Sequence, residues 1–212
     1  MKVFQDLSIT GPAVALDRLP ELLAGAAVPP WSRDRAAEER SRDIGLGSDF
    51  LVFLRAADGG MPAANLFLSR DADAWTVSNI VPVENGSLGE ETYNRILREF
   101  ERLLAPVAAA NDLQVNVSQA DVSVDDMLSD SAAKLLRTFS ASANMATGSA
   151  HPLDFRRWAA FLVQMHRDGT TLYASDLGRL LVEELRWPED TASKLLLEYE
   201  FARNLLKAYD EA

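Results

Sequence analysis

The sequence predicts an α+β fold: a small antiparallel sheet of about four to five strands with flanking helices, then an all-helical C-terminal subdomain. Three observations carry this. Apolar runs of strand length at 49–56, 63–69 and 75–83 are separated by short turns, the spacing of an antiparallel meander. Residues 88–104 place apolar side chains at helical spacing among charged ones. Beyond residue 123 the periodicity is helical throughout. The expected division is therefore 1–122 for the α+β domain and 123–212 for the helical subdomain, with a polar hinge at 139–154.

Taken in order, Val3, Leu7 and Ile9 alternate with polar residues and predict a short strand over 2–9. Gly11-Pro12 opens a helical pattern of Val14, Leu16, Leu19, Leu22 and Leu23, flawed by Pro20 and ended by Pro29-Pro30-Trp31. Residues 32–47 are dense in mixed charge. They read as an exposed helix supported by pairs among Asp34, Arg35, Glu38 and Arg42, or as a surface segment, with Ile44 and Leu46 its first apolar anchors.

Gly59-Gly60 and the charged stretch 70–73 punctuate the three strands that follow. Their core candidates are Phe50, Val52, Leu54, Leu66, Leu68, Trp75, Val77 and Ile80. Ser87 and Glu90 fit a capping box before a helix that Pro106 should stop near Leu104. Residues 113–117, LQVNV, alternate as a last strand. Asp121, Asp125 and Asp126 surround a turn; paired carboxylates can bind a hard cation, but the spacing is not that of an EF-hand, and solvated helix-start residues are expected.

A helix over about 124–139 should follow, then helices over 152–168 and 174–185 and a last one starting near Pro188. Pro152 and Asp154 suit a first helical turn. His166 falls in a last turn, where capping is the expected role. Two helices joined by a short turn invite a helix-turn-helix reading. The last helix, however, mixes Glu189, Asp190, Glu198 and Glu200 with its basic residues, whereas a DNA-reading helix presents a basic face.

Charge and composition exclude several function classes. Net charge is −11, with 11 basic and 18 acidic side chains in residues 1–122 and 10 and 14 in the remainder. Such a surface repels phosphate backbones, so nucleic acid is not an expected partner. The absence of cysteine excludes disulfides, Cys-ligated zinc, iron–sulfur clusters and a cysteine nucleophile. Two histidines cannot form a three-histidine metal site, and no metal or cofactor is expected. The N-terminus lacks the apolar core of a signal peptide and no 18-residue apolar run exists, so a cytoplasmic protein without a membrane partner is expected. Arginine outnumbers lysine and alanine is abundant, as in proteins of GC-rich bacteria.

Candidate functional residues fall in two groups. The polar stretch 139–155 offers Asn144, Ser149, His151 and Asp154, to which Asn79 adds a polar group from the third strand. In a cleft between the halves, these would make a small-molecule-binding or hydrolase-like site. His151 would be its general base, with Ser149 and Asp154 as further catalytic candidates. In the last helix, Leu197 and Phe201 lie off the main apolar stripe, which marks either deeper burial or a docking face. No catalytic motif is present. The leading expectation is thus a bacterial interaction module, of the antitoxin or immunity type, that neutralises a protein partner. A basic partner fits the charge, and a homo-oligomer is left open.

Overall fold

The computed structural model describes residues 1–43, 50–71 and 73–212. The protein is α+β, with a six-stranded antiparallel sheet, flanking helices, and helices toward the C-terminus. The chain divides into two units, Lys2–Ala120, and Met1 with Asp121–Ala212.

In the first unit the elements run β1 (Leu7–Thr10), α1 (Ala13–Ala26), β2 (Trp31–Arg33), α2 (Arg35–Asp43), β3 (Phe50–Arg55), β4 (Ala64–Asp71), β5 (Ala74–Pro82), α3 (Glu90–Ala110) and β6 (Gln114–Val117). The sheet order is β2-β3-β4-β5-β1-β6. The short turns of the meander set β3, β4 and β5 side by side, and β1 returns to pair with both β5 and β6. One sheet face packs on α1 and α3. Leu16, Leu19 and Leu23 from α1 and Ile96, Leu97, Phe100 and Leu104 from α3 meet Leu66, Leu68, Trp75, Val77 and Ile80. Leu66, Leu68, Trp75 and Val77 are where strict alternation places them, whereas Ile80 faces the core because a bulge before it shifts the phase by one residue.

The phase of β3 differs from the expectation. Leu51 and Phe53 face the main core, while Phe50 and Val52 form a separate cluster with Ala37 and Phe67, and Leu54 is half-buried. A continuous apolar run has no alternation to read, so its inward residues are fixed only by pairing.

Two elements depart from expectation for polar reasons. Trp31–Arg33 is an edge strand, and the charged segment after it is anchored by an ion pair. Glu38 is 2% exposed and receives Arg33 Nε at 2.8 Å, Arg33 Nη2 at 3.0 Å and the Val52 N–H at 3.1 Å. Asp34 caps α2 by accepting the Ala37 N–H at 2.9 Å. Ile44, Leu46 and the side chain of Arg42 lie outside the described residues.

Both internal prolines are tolerated. Pro20 cannot donate to the carbonyl of Leu16, and the buried Trp75 indole N–H fills that place at 3.0 Å. α3 continues through Pro106 to Ala110, because Ala108 beyond it is buried in the core. Its N-cap is Gly89 without a side-chain cap, so Ser87 does not form the expected capping box.

The second unit contains α4 (Val124–Met127), α5 (Asp130–Ser142), α6 (Pro152–Arg167), α7 (Ala174–Arg179) running into a π-helical turn (Leu180–Glu184), and α8 (Glu189–Asp210). The single helix expected over 124–139 is two. Ser123 and Asp126 form a capping box for α4, and Ser129 starts α5 by accepting the Ala132 N–H at 3.1 Å. The core is aromatic: Phe139 stacks on Trp187 at 5.1 Å and contacts Trp158, which meets Phe161. Trp187 donates its indole N–H to the buried Ser140 at 2.9 Å. Among the described residues no helix is long and apolar enough to cross a membrane.

Candidate functional site

The stretch 139–154 is helix at both ends. Phe139 and Ser140 belong to α5 and are buried, α6 begins at Pro152, and only 143–151 is loop. Within that loop the polar residues make local bonds. Asn144 is exposed, its side chain accepts the Ala146 N–H at 2.9 Å, and its carbonyl accepts from Thr147 and Gly148. This is a self-closed turn, the habit of Asn. Gly148 has φ +61°, and a Cβ there would lie 3.0 Å from Thr191 Cγ2 on α8. The position therefore needs glycine both for its backbone and for the close approach.

Ser149 is buried and donates to both carboxylate oxygens of Glu198, at 2.6 and 2.7 Å, which fastens the loop to α8. His151 is the N-cap of α6, its Nδ1 accepting the Leu153 N–H at 3.3 Å. Asp154 is buried and accepts from Arg157, one turn along, at 2.7 Å. Phe155, on the same helix, is exposed. The structure thus brings Ser149 to a carboxylate and His151 to a backbone amide.

Asn79 belongs to the first unit and serves the sheet. β1 pairs with β5 only over Ala74, Trp75 and Thr76, so among the described residues no strand pairs with 78–82 on that side. Val83 donates to Ala63 across β4, and by alternation Ile80 and Pro82 turn their backbone groups to the open side. Pro82 has no N–H, and the Ile80 N–H is taken by the Asn79 side chain at 2.8 Å. A register shift opposite Phe67/Leu68 adds a bulge. Bulge, proline and a self-bonded amide are the devices that blunt a sheet edge. A shallow hollow of about 370 Å³ beside this edge is lined by Phe4, Leu88 and Tyr93. Burial, with Asp6 nearby, raises the Tyr93 hydroxyl above its ordinary pKa.

Asn94 is a residue the sequence reading passed over. Its amide donates to Val3 O and accepts from the Gln5 N–H, both at 2.8 Å, standing in for a strand beside residues 3–5. Its signal was a polar residue inside the apolar stripe of α3, between Tyr93 and Ile96.

The acidic turn is also explained locally. Asp126 accepts the N–H and hydroxyl of Ser123, which hold its carboxyl below the usual range. Asp125 pairs with Arg137 at 2.8 Å, and Glu184 joins them at 3.1 Å. Hydrogen bonding to Asp125 first, and then the charges of Asp125 and Glu184, push the Arg137 guanidinium further up. Among the described residues no group of three or more His, Cys, Asp or Glu side chains is placed to hold a metal ion.

The remaining sequence-derived candidates are on α8. Leu197 and Phe201 are each 68% exposed and Leu205 is 56% exposed. Their spacing of four residues puts them in one row. The opposite face of α8 buries Ala192, Leu195 and Tyr199 in the aromatic core. Leu205 extends this exposed row, and Tyr209 is exposed as well. Comparison with family models, with curated proteins and with solved structures finds no match.

Proposed function

We propose that the chain is a protein-interaction module whose working surface is the outward face of α8. Its partner would be a basic protein with an apolar groove, neutralised in the manner of an antitoxin or immunity target. The observation that carries this reading is the exposed row Leu197, Phe201 and Leu205. A helix that already buries one face has no packing need for a second apolar row, and large exposed apolar side chains at helical spacing are what helix-in-groove docking uses. α8 carries Glu189, Asp190, Glu198, Glu200 and Asp210 against Lys194, Arg203 and Lys207, and the chain as a whole carries net charge −11. This charge favours a basic partner and opposes both nucleic acid and the anionic surface of a membrane.

The cleft reading draws on Ser149 and His151, whose observed bonds go to Glu198 and to backbone; neither bond links the two residues. No observation favours it over docking.

A photo-reactive phenylalanine analogue at Phe201 tests the proposal, with Tyr173, also exposed, as the control position. The reading expects one basic protein to be cross-linked from 201 and not from 173, with a yield that falls as salt rises. Cross-linking only to a second copy of the chain, or equal cross-linking from both positions, would contradict it.

A further inference from the structure

The second unit contains a hollow of about 620 Å³ between α6, the residues just after it and the last turns of α8. That volume lies within the range of small-molecule sites, about 300–1,000 Å³. Its floor is apolar, with Met165 and Tyr199 buried and Leu206 half-buried. Its rim is polar and carries His166, Arg203, Lys207 and Asp210.

The rim charges are unevenly partnered. His166 Nε2 lies 2.7 Å from Asp210 Oδ2, so the one carboxylate of the hollow is engaged. Among the described residues Arg203 forms no ion pair; its guanidinium carbon lies 5.7 Å from the centre of the Tyr199 ring. That ring is fixed in turn, because the Tyr199 hydroxyl donates to Leu172 O at 2.5 Å. Among the described residues the Lys207 ammonium pairs with Glu211 alone, at 3.9 Å and in solvent. Arg203 and Lys207 against Asp210 give the hollow a net charge of +1 with His166 neutral, whereas the chain carries −11.

We propose that this hollow binds an amphipathic oxyanion. The apolar body would lie on Met165, Tyr199 and Leu206, and Arg203 and Lys207 would hold a carboxylate or phosphate. Guanidinium groups bind such oxyanions through two parallel hydrogen bonds, and an ammonium adds a point charge. The cation–π contact with Tyr199 orients the guanidinium before the ligand arrives, which lowers the ordering cost of binding.

The probes are decanoate, decyl phosphate and the uncharged decanol, titrated into the full chain by calorimetry and followed at the amide signals of Thr170 and Thr171. Both anions should saturate one site and shift those signals, and the tighter of the two identifies the head group. Decanol should bind at least tenfold more weakly. Arg203→Gln should weaken the anions by about tenfold or more, the worth of one charge-assisted hydrogen bond. Thr171→Trp, which fills the exposed rim, should block them. Equal binding of decanol, or an Arg203→Gln variant that binds like wild type, would overturn the proposal. So would binding lost in Phe201→Ser but kept in Arg203→Gln, since that places the alkyl chain on the exposed row of α8. None of these failures bears on the docking reading, which the cross-linking decides.

Discussion

Pro20 removes the amide that would have bonded Leu16 O, and Trp75 replaces it from another element. Replacing Trp75 with Phe should therefore cost about 1–3 kcal/mol, the price of a buried carbonyl without a donor. In a Pro20→Ala background the helix can supply its own N–H, so the same change should cost less. A double-mutant cycle by urea unfolding reads the difference, and equal costs in both backgrounds would refute the exchange. Asp126 offers a second test. Its carboxyl is lowered from the ordinary 3.8 by bonds from Ser123. The unfolded chain then binds its proton first as pH falls. The stabilisation is thus full above the ordinary carboxylate range and is lost as pH drops through the lowered folded value. Asp126→Asn should narrow the fall in urea midpoint between about pH 5 and pH 2, within the carboxylate range, and an unchanged fall would refute it. Both residues stood out in the sequence, Pro20 as a flaw and Asp126 in an acidic cluster. Their partners could not be read there, because Trp75 is 55 positions from Pro20 and the capping role depends on where α4 begins.

At the scale of elements, what was legible followed alternation and amphipathic spacing. β4, β5, β6 and the start of α3 are close to where those periods place them, while α3 runs on six residues past its expected end at Leu104. What was illegible rests on polar contacts or on pairing. β2 is three residues long and six of the nine residues of α2 are charged; their anchor is the Arg33–Glu38 pair, a contact between side chains that periodicity does not report. Glu38→Ala would strand a largely buried guanidinium and the Val52 N–H, and should destabilise by about 3–5 kcal/mol in urea unfolding. A loss below about 1 kcal/mol would show that the pair is a surface contact. The 143–151 loop gives the matching case for the candidate site. Its composition marked Asn144, Ser149 and His151 as a group, and the structure spends them on a turn, a latch and a cap. Ser149→Ala should speed amide exchange at Thr147 and Gly148 by releasing the loop from Glu198, whereas unchanged exchange would mean that Gly148 packing alone holds it.

For the whole molecule, the proposed docking rests on one exposed apolar row. An acidic chain with an aromatic core in its helical unit still leaves Leu197, Phe201 and Leu205 in solvent. The first two were legible because they fall off the buried stripe of α8. Leu205 was not, because burial fades toward the C-terminal turns and periodicity does not register where a neighbour ends. The most direct test replaces Leu197 and Phe201 together with Ser and compares recovery of the protein cross-linked from position 201. Both side chains are mostly exposed, so the thermal midpoint should stay at the wild-type value. If the row anchors the interface, truncating its central hot spot costs about 2 kcal/mol or more, so recovery should fall at least tenfold. A variant that keeps its fold and still recovers the partner at the wild-type level would contradict the account.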